Sequence, residues 1–196
     1  PNIVFDDANL QEAIEGGIAN CFNNSGQSCN SPARMLVPFG KMREAAAIAK
    51  KAAEALKVGD PRAPETNLGP VVSEQHFNKV QKLIQIGIDE GATLVTGGPG
   101  RPEHLNRGYF VRPTVFADVT PQMTIANTEI FGPVMTMVGY ESEEDAIRIA
   151  NDTEYGLAAY LQTSDPERAR RVARLLRAGQ VEINYAPFDY FAPFGG

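Results

Sequence analysis

The stretch LAAYLQTSDPERARRVARLLRAGQVEIN, Leu157–Asn184, decides the fold class. Leu157–Gln162 is short and apolar and reads as a strand. Asp165 and Pro166 then supply a helix cap and a first helical residue. A carboxylate can accept from the free N–H groups of the opening turn, and proline has no N–H to lose there. The arginines of Arg168–Arg174 are spaced like the wet face of a helix, Gly179 is expected to close that helix, and Gln180–Asn184 reads as a second strand. Strand, helix and strand in direct succession point to a layered α/β domain.

The same alternation runs through the chain. Ile3–Phe5 reads as a strand and Asp6–Asn9 as a cap region. The helix that follows carries Leu10, Ala13, Ile14, Ile18 and Cys21 on one apolar face, which puts Cys21 in the core. Ala33–Val37 reads as a strand and Lys41–Leu56 as an alanine-rich helix. Ser73 caps a helix reaching to about Glu90, stopped by Gly91, and Thr93–Thr96 follows as a strand. Tyr109–Val119 is extended, with Pro113 arguing for an edge or a bulge. Pro133–Tyr140 is a strand, and Ser142 with Asp145 opens the next helix. The expected fold is a three-layer α/β domain with a largely parallel sheet covered by helices. No internal repeat is visible, and no Gly-x-Gly-x-x-Gly turn offers the usual dinucleotide phosphate cradle.

Composition narrows the function. The 196 residues suffice for one domain with a proper core, and 43% hydrophobic with 21% charged residues is ordinary for a globular protein. A formal net charge of -6 gives no broad cationic surface, so nucleic acid is not the expected partner. No apolar run approaches the ~20 residues of a membrane span and no leader pattern is present, so the expected compartment is the cytoplasm. Cys21 and Cys29 form no C-x-x-C pair, and His76 and His104 stand apart from them and from each other, so neither a disulfide framework nor a metal site is expected. The start at PNIVF without a Met, and the end at the turn sequence PFGG, read as a segment cut from a longer protein.

Three stretches can carry chemistry. In NNSGQSCNSP, Asn23–Pro32, a cysteine stands among small polar residues with nothing apolar to pack around it. That is the setting of an accessible thiol, and backbone amides near Gly26, Ser28 and Ser31 could approach anything bound at the Cys29 sulfur. The alternative is an idle loop cysteine. In NTEIFGPV, Asn127–Val134, extended geometry would point Glu129 and Phe131 to the same side, where a carboxylate and an aromatic face could hold a sugar diol and a flat ring. The alternative is a strand entrance with Phe131 in the core. FDYFAPF, Phe188–Phe194, crowds aromatics into a region without helix or strand period, as in a pocket lining or a subunit contact.

Together these stretches resemble the aldehyde dehydrogenase superfamily, specifically its catalytic, cysteine-bearing domain. NSGQSC (Asn24–Cys29), with Arg34 beyond it, is similar to the nucleophile signature, and EIFGPV (Glu129–Val134) to the cofactor-contacting signature. YGLA, GQVEIN and PFGG follow in the family's order, so the likeness covers residues 1–196. The resemblance implies oxidation of an aldehyde to an acid through a Cys29 thiohemiacetal and thioester, with NAD or NADP as cofactor. It also implies that Glu129 holds the nicotinamide ribose, that Phe131 positions the ring, and that Phe188, Phe191 and Phe194 border the substrate channel. A homo-oligomer of the full-length protein is expected. The family's Glu-Leu-Gly-Gly base, its Rossmann-type cofactor domain and its C-terminal tail are absent from these residues, so the isolated chain is expected to be inactive. Transfer of the thioester to coenzyme A or phosphate, and a non-catalytic scaffold role, are the competing expectations.

Overall fold

The computed structural model describes residues 1–186. Seven strands form one sheet: β1 (Asn2–Val4), β2 (Arg34–Pro38), β3 (Thr93–Thr96), β4 (Thr114–Val119), β5 (Val134–Tyr140), β6 (Ala158–Gln162) and β7 (Gln180–Ile183). Their order is β3-β4-β5-β2-β1-β6-β7, and every pairing except β3 with β4 is parallel. Among the described residues six α-helices connect them: α1 (Leu10–Phe22), α2 (Met42–Glu54), α3 (Glu74–Asp89), α4 (Thr124–Asn127), α5 (Glu143–Asn151) and α6 (Pro166–Ala173).

Alternation along the strands builds two cores. Val4, Met35, Val37, Met135 and Met137 point to one face, where α1 contributes Ile14, Ile18 and Cys21 and α2 contributes Ala45, Ala49 and Ala53. Ile3, Leu36, Val134, Val138 and Leu161 point to the other, against Val80 and Ile84 of α3, Ile125 of α4, Ile149 of α5 and Val172 of α6. Both faces are thus covered, which is why the central strands read as apolar runs rather than as a half-wet alternation. Alanines at one-turn spacing let α2 lie close to the sheet.

The capping signals act as anticipated. Ser73 accepts from His76 N–H, Ser142 from Asp145 N–H, and Asp165 from Glu167 and Arg168 N–H, while Gly91 takes a φ of 90°. Two local expectations are corrected. β4 lies between β3 and β5 and is no edge: Pro113 stands just outside its first residue, and the irregularity is a register shift against β5 between Phe116 and Val119, where Asp118 has a φ of 53°. Gly179 does not close α6, which stops at Ala173, well before the glycine that leads into β7.

The two edges of the sheet differ. At the carboxyl ends of β1 and β6, Asp7 accepts hydrogen bonds from the Thr163 hydroxyl, the Ser164 N–H and hydroxyl, and the Asp165 N–H, and pairs with Arg168 at 2.7 Å. Tyr140 Oη donates to the Val4 carbonyl at 2.8 Å, and Lys41 Nζ to that of Asp6 at 2.8 Å. The amino ends remain for a cleft.

Candidate active site

The segment after α1 is bent by three successive left-handed residues: Asn24 (φ 51°), Ser25 (φ 57°) and Gly26 (φ 73°). Asparagine and glycine tolerate this region, and side-chain bonds hold the rest. Asn24 Nδ2 donates to the Gln27 carbonyl at 3.0 Å, and Gln27 Nε2 returns to that of Asn24 at 3.2 Å. Ser25, buried, donates to the Gly69 carbonyl at 2.9 Å, and Gln27 Oε1 accepts from Val72 N–H at 2.8 Å. Gly26 lies against the backbone of Gly132 and Pro133 so closely that a Cβ there would stand 2.1 Å from the Gly132 carbonyl oxygen. The two signature stretches therefore meet main chain to main chain at Gly26.

Beyond this bend the chain is pinned on both sides of the cysteine. Ser31 N–H donates to the Ser28 carbonyl at 3.0 Å, Ser31 Oγ to that of Cys21 at 3.0 Å, and Tyr160 Oη to that of Asn30 at 2.7 Å. Cys29 itself is exposed, and its N–H meets no acceptor among the described residues. Cys21 is its opposite: fully buried, with its thiol pushed up to about 12 by burial, against which the Ser31 hydrogen bond works.

Cys29 opens onto a cleft of about 250 Å³ whose lining also includes Glu129, Phe131, Arg34 and Tyr155. Its walls are the segments entering β1, β2, β5 and β6, so it sits at the amino edge of the parallel strands. Arg34 supplies the only cationic side chain on this lining among the described residues. It is held by carbonyls, Nη2 donating to Ile149 at 3.0 Å and Ala150 at 2.9 Å, and Nη1 to Asp152 at 3.3 Å. Burial draws its pKa down and the Asp152 carboxylate opposes this.

The Glu129–Phe131 segment is not extended throughout, which corrects the expected geometry: Phe131 has a φ of 60°. Both residues nevertheless line the cleft. The Glu129 backbone is occupied, its N–H donating to Tyr155 Oη at 3.2 Å and its carbonyl accepting from Lys79 Nζ at 2.9 Å. Its exposed carboxylate accepts no hydrogen bond from the described residues.

The sequence matches the aldehyde dehydrogenase family over residues 1–196. The chain belongs to that family. It is 48% identical over 195 residues to the 3-succinoylsemialdehyde-pyridine dehydrogenase of a Pseudomonas species, covering 100% of this chain and 41% of that protein. Aldehyde dehydrogenase C of Pseudomonas syringae, solved as a cysteine-to-alanine variant with NAD+ and octanal, is similar at a TM-score of 0.98 and 47% identity, over 100% of this chain and 40% of that one. The Mycobacterium tuberculosis aldehyde dehydrogenase, solved with NAD+, gives a TM-score of 0.95 at 44% identity over 100% and 40% of the two chains. The chain thus spans about two fifths of the length of these aldehyde dehydrogenases.

Within this aldehyde dehydrogenase chain, Cys29, Glu129 and Phe131 share one cleft. Phe188, Phe191 and Phe194 lie outside the described residues. His76, Lys79 and Tyr155, which hold the Glu129–Phe131 backbone, carry no signal in the sequence beyond polarity on a helix flank and the Tyr-Gly turn; their role depends on where α3 docks. No described helix is long and apolar enough to cross a membrane.

Proposed function

We propose that this chain, residues 1–196, is the catalytic domain of a longer enzyme that oxidises an aldehyde to a carboxylic acid with NAD or NADP, and that Cys29 is its nucleophile. The observation that supports this most strongly is the meeting in one cleft of an exposed thiol, a free carboxylate and an aromatic ring from two distant stretches of sequence. The cleft fits the nucleoside half of the cofactor: Glu129 has its backbone tied and its carboxylate free, as a partner for a ribose diol needs, and Phe131 presents a ring beside it.

The Cys29 thiolate adds to the aldehyde carbon, a C–S bond forms, and the carbonyl π electrons move to oxygen. The Cys29 N–H, which has no acceptor among the described residues, is the donor this chain offers that oxyanion. One such donor is worth ~100–1000-fold in rate. A bound nicotinamide dinucleotide supplies the hydride acceptor for the oxidation. Water then attacks the Cys29 thioester, the C–S bond breaks, and the acid leaves with the thiolate restored. Pro1 also lines the cleft, so in a longer chain the residues joined to it would enter beside Cys29, where a base for the water is needed.

The octanal complex of the Pseudomonas syringae relative makes a medium-chain aldehyde the first substrate to assay. In the full-length protein, octanal and NAD+ are expected to give NADH and octanoate, and Cys29→Ala to abolish both. The isolated chain is expected to give neither. Native alkylation by iodoacetamide should modify Cys29 and spare Cys21. Full activity of the Cys29→Ala protein refutes the nucleophile, and octanoyl-coenzyme A as the main product when coenzyme A is added refutes hydrolysis.

A further inference from the structure

We infer that His76 is a positioning residue for this reaction, holding the Phe131 ring and the Glu129 carboxylate in register through the backbone, with Tyr155 fixing the other end of the same segment. The inference rests on the proposed assignment of Glu129 and Phe131 to the nicotinamide nucleoside.

Phe131 has a φ of 60°, in the left-handed region that L-aromatic residues avoid. A residue stays there only where its surroundings over-determine it. One such constraint is His76, whose Nε2 lies 2.6 Å from the Phe131 carbonyl oxygen and whose ring meets the Phe131 ring edge-on, centroids 6.0 Å apart at 72°. A carbonyl oxygen carries no proton, so Nε2–H is the donor. The imidazole is mounted on a fixed helix start, because His76 N–H donates to the Ser73 cap at 3.2 Å. Two residues before Phe131, the Glu129 N–H is taken by Tyr155 Oη at 3.2 Å. Bonds from two separate elements thus hold the Glu129 N–H and the Phe131 carbonyl at the two ends of the segment and leave its carboxylate and ring to the cleft. Neither His76 nor Tyr155 needs to touch the cofactor to do this.

Removing the His76 bond lets Phe131 relax out of the left-handed region, and its ring loses fixed spacing from the Glu129 carboxylate. In the full-length protein, His76→Ala is expected to raise the Kd for NAD+, measured by calorimetry without aldehyde, about tenfold. The KM for NAD+ should rise with it, while the KM for octanal stays within about twofold, a split that a general loss of structure would not produce. His76→Gln places an amide N–H where Nε2–H stood and should restore NAD+ binding. His76→Phe keeps an aromatic edge without a donor and should not.

Unchanged NAD+ binding in His76→Ala, or failure of His76→Gln to restore it, overturns the inference. If His76→Ala has no cooperative melt, Tyr155→Phe decides: loss of that one hydroxyl should weaken NAD+ binding severalfold, and wild-type affinity refutes the assignment. A wild-type protein that binds neither NAD+ nor NADP+ and oxidises no aldehyde with either sinks the proposed function itself, visibly before any variant is made.

Discussion

Replacing Gly26 by alanine is expected to pry apart the two loops that form the cleft. Two costs add. Gly26 has a φ of 73°, and an L-residue held in that region costs ~1–2 kcal/mol. The new Cβ would also lie 2.1 Å from the Gly132 oxygen, 2.2 Å from its carbonyl carbon and 2.7 Å from Pro133 N. These are backbone atoms with no rotamer to turn aside, so one loop must retreat, as in overpacked cores that lose ~1–3 kcal/mol. The sum, about 2–5 kcal/mol, should lower Tm by roughly 4–20 °C for a chain of this size. Circular dichroism melting gives the first reading. The second is the rate of Cys29 alkylation by iodoacetamide, which should change because Cys29 lies just past the displaced residue. Gly40→Ala is the control, since nothing stands within 4 Å of a Cβ there and its φ is not positive. If the Gly26 variant melts with the Gly40 variant and labels Cys29 at the wild-type rate, the two loops are not joined through Gly26.

Arg34→Ala should lower stability by about 2–3 kcal/mol in urea unfolding, because the carbonyls at the end of α5 lose a charged donor; Arg34→Lys should recover only part, since an ammonium cannot fork across several acceptors. Asp7→Asn tests the closed carboxyl edge. Partial burial alone would raise the Asp7 pKa, but hydrogen bonds from Thr163 and Ser164 and the charge of Arg168 together outweigh it and hold the carboxyl well below its usual range. Because the folded value is depressed, the stabilisation is complete above the ordinary aspartate pKa of about 4 and is lost as pH falls below it toward the folded value. Urea midpoints of the wild type and Asp7→Asn should therefore differ at neutral pH and converge in acid, and a constant gap refutes the linkage.

The helices and central strands were legible because local chemistry and tertiary demand agree there. Ser73, Ser142 and Asp165 cap helices whose apolar stripes meet a two-sided sheet, and β2 and β5 are apolar on both faces because both are covered. Legibility failed where the backbone answers to a distant neighbour. α6 stops at Ala173 although its residues carry a helical pattern further, and β4 is internal although Pro113 argues against it, since proline just outside the first paired residue costs no ladder bond. At the site, the exposure of Cys29 could be read from its polar surroundings. The left-handed Phe131 could not, because no local preference favours it, and the His76 that bonds its carbonyl comes from α3, far away in sequence.

The placement of the cleft follows from the same contrast. Open parallel sheets usually bind ligands beyond the carboxyl ends of their strands. Here that edge, at β1 and β6, is occupied by Asp7 and the Thr163, Ser164 and Arg168 groups that satisfy it, with Tyr140 and Lys41 taking up the Val4 and Asp6 carbonyls. A carboxylate so fully engaged has little capacity left for a ligand. At the amino edge the side chains do the reverse: Asn24, Gln27, Lys79, His76 and Tyr155 bond to backbone, and what they leave free is the Cys29 sulfur, the Cys29 N–H, the Glu129 carboxylate and the Phe131 ring. A reactive centre needs unsatisfied groups on a satisfied frame. In the described residues that combination marks the entrance to β2 and β5, where an exposed thiol can stay available without the loop around it giving way.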